Sequence, residues 1–131
     1  MSLVPMHIPP DCIVYRVAKR VYIKSNGMPQ SDCFSDKGTD DGASYYMSVY
    51  FADEMAAAGR GVRDLQAHWG DAYVVLEFEA SELRAEGEDL WRDPNGEFPG
   101  HGACKRADGS ERTRGQKRQL AKRSKIASEL T

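Results

Sequence analysis

At 131 residues, 40% hydrophobic and 29% charged, the chain has the length of one domain and the composition of a folded one. It holds no apolar run near the length of a bilayer span and no basic-then-apolar opening, so neither a membrane segment nor a secretory signal is expected. The formal charge of −2 hides an asymmetry: residues 1–103 carry 9 Lys/Arg against 17 Asp/Glu, a balance of −8, and residues 104–131 carry 9 against 3, a balance of +6.

Residues 1–10 contain Pro5, Pro9 and Pro10 and are read as a flexible N-terminal segment; Met1-Ser2-Leu3 is given no functional weight. Cys12 to Ala18 is β-branched and aromatic and predicts the first strand, with Ile13, Tyr15 and Val17 on one face and Val14, Arg16 and Ala18 on the other. Val21 to Ile23 extends it or pairs with it. Residues 24–44 are rich in Gly, Ser, Asp and Pro and are read as a long loop, with solvated acids at Asp36, Asp40 and Asp41.

Ser44 to Ala52 alternates and is the strongest strand signal. Short helices over Asp53–Ala58, stopped by Gly59, and Val62–Trp69, stopped by Gly70, follow it. Tyr73 to Phe78 is a strand with Val74, Leu76 and Phe78 inward. Ser81 is read as the N-cap of a short helix ending at Gly87. Asp93-Pro94-Asn95-Gly96 suits a type I turn, and Phe98 to Cys104 is extended. Residues 114–130 form an amphipathic helix, Leu120, Ser124, Ile126, Ala127 and Leu130 against Arg114, Arg118, Lys122 and Lys125. The sum is a single α+β domain over 1–131: a small, mainly antiparallel sheet with short helices and a basic C-terminal helix packed on it.

The three cysteines, Cys12, Cys33 and Cys104, are odd in number and far apart. A disulfide-stapled module is not expected, nor a zinc knuckle or any other metal site, and the thiols are read as reduced, in a cytoplasmic protein. Cys104 precedes Lys105 and Arg106, whose charges would lower its pKa. His101, between two glycines that let backbone approach a ligand, is the candidate for proton transfer, with Asp93 to orient it. The blander reading of this pair is a turn cap and an ordinary loop histidine.

The basic helix has two readings. Its cations neutralise phosphates, through Arg114, Arg118, Lys122 and Lys125, or the tail folds back on the acidic body, which is favoured because no second basic patch widens the footprint. No aromatic residue interleaves these cations, so base stacking from the helix is not supported. A protein partner or a second copy of the chain are the other candidate partners.

The order of features resembles a family of small single-domain bacterial proteins with no assigned activity. Arg16 on an early strand, Ser31-Asp32-Cys33-Phe34, Ser48-Val49, Asp93-Pro94, His101 and a Lys-rich helix over Lys117 to Leu130 carry the likeness. It implies a shared pocket with Arg16, Ser31, Phe34 and Ser48 as ligand contacts, and departs in the longer loop over Asp36 to Gly42. A fainter likeness is to ADP-ribosyltransferase-type domains, similar in the order Arg16, Ser48, Glu77-Phe78-Glu79 but lacking the usual Ser-Thr-Ser. That likeness would imply NAD; otherwise no cofactor is expected. The joint expectation is a polar pocket of Arg16, Ser48, Asp93 and His101 for an anionic small molecule or nucleotide, with the basic helix as a nucleic-acid or protein module as the alternative.

Overall fold

The computed structural model describes residues 4–5, 8–38, 45–93, 96 and 98–127. The strands are β1 (Val4–Pro5), β2 (Ile13–Lys19), β3 (Lys37–Gly38), β4 (Tyr45–Phe51), β5 (Tyr73–Glu79), β6 (Glu88–Arg92), β7 (His101–Arg106) and β8 (Lys125–Ile126). The helices are α1 (Ala52–Ala57), α2 (Val62–Trp69), α3 (Ala80–Ala85) and α4 (Arg114–Arg123). The sheet runs β1-β6-β7-β4-β2-β5-β8 with β3 on β4, and its pairings are antiparallel. The small α+β architecture is the expected one.

Both faces of the sheet are covered, which the alternation over Tyr73–Phe78 did not foretell. Val74, Leu76 and Phe78 face a core with Val14, Met47, Phe51 and Leu120, while Val75 faces a second core with Tyr15, Tyr50, Met55 and Leu65. The unbroken Val74-Val75-Leu76 run is what a strand buried on two sides requires. α1 and α2 supply the second core through Met55, Val62 and Leu65; α3 and α4 supply the first through Leu83, Leu120 and Ala121.

β2 pairs with β5 along its whole length, from Ile13↔Glu79 to Lys19↔Tyr73. It pairs with β4 only through Val14↔Phe51 and Tyr15↔Tyr50. Beyond those pairs β2 follows β5 and β4 follows β7, as far as Met47↔Cys104. The sheet opens into a fork, and a 3-10 turn over Ser31–Phe34 enters it.

Several boundaries differ from the expectation. The N-terminal segment is tied down, since β1 pairs with β6, Ile8 is buried and Arg84 Nη1 donates to the Ile8 carbonyl at 2.6 Å. Val21 to Ile23 adds no strand: Arg20–Tyr22 is a 3-10 turn. The loop over 24–44 contains the Ser31–Phe34 turn and β3, and its residues 39–44 lie outside the described residues. Glu79, not Ser81, caps α3, because the Glu82 carboxylate accepts the Glu79 N–H at 2.9 Å. β6 falls in a stretch for which no element was expected. The last helix stops at Arg123: Ser124 is extended, its hydroxyl donates to the Ala121 carbonyl, and Ile126 pairs with Leu76. Leu130 lies outside the described residues.

Candidate functional site

Arg16 is the polar interruption in an otherwise apolar run, Val14-Tyr15-Arg16-Val17-Ala18. Its place explains the interruption. Where β4 turns away, the Ser48 carbonyl loses the neighbour strand that would have bonded it. Arg16 Nη1 donates to that carbonyl at 3.0 Å, and Nε donates to the Cys33 carbonyl at 3.0 Å. One guanidinium thus bridges β2, β4 and the 3-10 turn. Nη2 donates to no acceptor among the described residues, and no carboxylate there lies within ion-pair distance. Burial, and after it the nearby Arg112 cation, hold the Arg16 guanidinium down to about 10.

The fork is a cleft of about 410 Å³, open to solvent. Arg16 and Ser48 lie at its base, and Tyr22, Tyr50, Trp69 and Tyr73 form its aromatic walls. Trp69 and Tyr73 stand 5.0 Å apart between ring centres, and Trp69 Nε1 donates to the Tyr50 hydroxyl at 3.2 Å. The aromatic walls were missed in the sequence. Their signal is tyrosine at alternate β4 positions and a tryptophan closing a helix, both of which read as core.

Arg16 and Ser48 therefore meet, through the Ser48 carbonyl, but His101 and Asp93 do not join them. Residues paired across antiparallel strands share a face. His101 pairs with Tyr50, which pairs with Tyr15, so it lies on the face of the second core; Tyr50 reaches the cleft from that face, but neither His101 nor Asp93 is among the residues that line it. His101 sits behind Tyr50, 5.3 Å between ring centres, with Nδ1 2.8 Å from Asp93 Oδ2. The flanking glycines serve packing and not a ligand. A Cβ at Gly102 would lie 2.4 Å from both the Phe51 ring and the Trp91 carbonyl, and Gly100 has φ +84° against the Phe51 carbonyl. The Asp93 turn keeps a Gly96 N–H to Asp93 carbonyl bond at 3.3 Å, while residues 94 and 95 lie outside the described residues.

Phe34 is fully buried, edge-on to Phe78 at 5.8 Å, so it is core and no ligand contact. Ser31 lines a neighbouring groove instead of the cleft. Glu77 is buried on the face of Tyr15, with Lys125 Nζ at 3.9 Å, and Glu79 is exposed at the α3 cap. Neither carboxylate lies on the face of Arg16.

A second polar centre went unread in the sequence. Arg112 is buried against Asp36 and Glu88 and donates to the Cys104 carbonyl at 2.8 Å; Arg106 reaches Glu88 at 3.0 Å. Asp36, read as a solvated loop acid, is a fully buried partner. Cys104 donates to Glu88 at 3.3 Å, and burial, then Glu88, push its thiol well above the ordinary range. The expected activation by Lys105 and Arg106 is overturned.

The chain matches no family model, no curated protein and no solved structure.

Proposed function

We propose that the protein binds a small anionic ligand with a planar ring, of the nucleotide class, in the fork between β2 and β4. The observation that carries this reading is Arg16: a half-buried guanidinium with free donor capacity, no carboxylate partner among the described residues, and aromatic walls around it. A desolvated cation without a counter-charge favours an incoming anion, and a guanidinium fork suits phosphate or carboxylate. Trp69 and Tyr73 offer faces on which a base can stack. Because neither Glu77 nor Glu79 is among the residues that line the cleft, this reading assigns the site binding and no transfer step.

The test is titration with AMP and with adenosine, followed by Trp fluorescence. AMP should bind at least tenfold tighter than adenosine. Arg16→Lys, which keeps a charge but loses the fork, should remove most of that difference, and Tyr73→Ala should weaken both ligands together. Equal affinity for the two ligands, or no binding of either, overturns the reading.

A further inference from the structure

α4 presents Arg114, Arg118 and Lys122 at steps of four residues, about 6 Å apart along the helix axis and on one side of it. They form one wall of a groove of about 530 Å³; the segment from Lys24 to Asp32 forms the other, adding a fourth cation at Lys24. These four side chains are exposed and enter no salt bridge among the described residues. The other basic groups of the last thirty residues behave differently. Arg106 and Arg112 pair with Glu88, Arg123 pairs with Glu86 at 3.2 Å, and Lys125 approaches Glu77. The tail thus folds four of its cations onto acids of the body, while Lys105 lies over the Trp91 ring and Lys117 is half-buried; the row facing the groove is exposed and without counter-charge among the described residues. Lys125 sits on β8 and is no part of that row.

The groove does not stand alone. Asp32 lines both it and the Arg16 cleft, so the two spaces meet at the Ser31–Phe34 turn. A cationic track leading to a set of aromatic faces is the arrangement that holds single-stranded nucleic acid: cations follow the backbone while rings stack on bases. The helix carries no aromatic residue of its own; the fold supplies them from the Arg20–Tyr22 turn, β4, α2 and β5 at the end of the track. The steps along α4 are close to the spacing of successive phosphates in an extended strand.

We propose that the α4 groove is the track for the phosphate backbone of a single-stranded oligonucleotide whose end nucleotide occupies the Arg16 cleft. The seat of that end nucleotide rests on the reading of the cleft given above; the track rests on the groove. Asp32, at the junction, is the one carboxylate in the groove lining among the described residues, and it works against the polyanion.

The experiment compares AMP, a single-stranded adenine hexanucleotide, a hexanucleotide duplex and a hexaglutamate peptide, by competition at two salt concentrations. Thermal melts of every variant serve as folding controls. The hexanucleotide should bind at least tenfold tighter than AMP and weaken more steeply with salt. Arg118→Gln with Lys122→Gln, both exposed, should remove that gain and leave AMP binding unchanged. Asp32→Asn should tighten the hexanucleotide about twofold to fivefold. If AMP binds but the hexanucleotide gains nothing, or the double variant leaves its affinity intact, the track is refuted and the cleft reading survives. If the hexanucleotide binds through the groove while AMP does not bind, the cleft reading falls and the track stands. Equal binding of duplex or hexaglutamate refutes the assignment to single-stranded nucleic acid.

Discussion

Two arginines lie near each other in this fold and have opposite surroundings. Arg112 meets two carboxylates, Asp36 and Glu88, and a backbone carbonyl, with its side chain closed off from water. Arg16 meets two carbonyls and no carboxylate among the described residues, beside an open cleft. Their basicity divides accordingly. Burial, and after it the Arg112 cation, lower Arg16 to about 10; burial also acts on Arg112, but Cys104, Glu88 and Asp36 outweigh it and the guanidinium is held above its ordinary range. The same side chain serves as a closed fastening in one place and as an unanswered charge in the other. Counter-charge, more than burial, separates a structural arginine from one poised for a ligand.

The largest expected effect tests the closed half of this contrast. Arg112→Met leaves Asp36 and Glu88 buried with only Arg106 to answer them, and should cost about 3–5 kcal/mol in urea unfolding. A cost below about 1 kcal/mol would mean that the cluster is not closed in solution, and the contrast would lose its first term. Arg16→Met should cost less, about 1–2 kcal/mol, because two hydrogen bonds to carbonyls are lost while an uncompensated charge is removed. The sharper readout is phosphate. Added phosphate should raise the melting temperature of the wild type, since it binds the folded state, and should do less for Arg16→Met. An equal rise in both proteins would place the anion elsewhere.

Thiol chemistry gives an intermediate and independent measure. Cys104 sits under Arg112 with its thiol held far above the ordinary range, and Cys12 is pushed up to about 11, by burial first and by Asp53 second. At pH 8 both thiols are protonated in the fold. Cys104 should resist iodoacetamide until the protein unfolds, as read by peptide mass spectrometry, with Cys12, half-buried, labelling first. Prompt labelling of Cys104 in the native state would show that the cluster opens.

Much of this was readable from the chain, and the boundary between what was and what was not is physical. β2, β4, α1, α2 and β5 follow from local alternation and from glycines at Gly59 and Gly70, which adopt positive φ. Arg16 stood out through the resemblance, as an early arginine on a strand; that a guanidinium in a Val-Tyr-x-Val-Ala strand must find acceptors is what the structure adds. Local pattern carries no information on strand divergence, however, and the cleft exists only because β2 and β4 part after two pairs. Nor does it say which face His101 takes; that depends on the β4–β7 register, set by pairs far apart in sequence. The Arg112 cluster was invisible for the same reason, joining residues 36, 88, 104, 106 and 112. The strand at Glu88–Arg92 reads as polar because Glu88 is buried by pairing with arginines and not by apolarity.

The smallest expected effect decides between two accounts of how the basic tail is held. The opposite charges of body and tail suggest docking by summed attraction, in which every ion pair contributes. The buried cluster suggests docking by one fastening, plus the apolar contacts of Leu120 and Ala121. Arg123 separates these accounts. It pairs with Glu86 at 3.2 Å, but its side chain is 38% exposed, in a medium where attraction is screened and ordering a long side chain costs entropy. Arg123→Gln should therefore change stability by less than about 0.5 kcal/mol, and that change should shrink further at high salt. A cost approaching that of Arg112→Met, vanishing in salt, would mean that diffuse surface charge does the docking. The cations facing the α4 groove would then belong to the same diffuse attraction, and their lack of partners would no longer mark a binding surface.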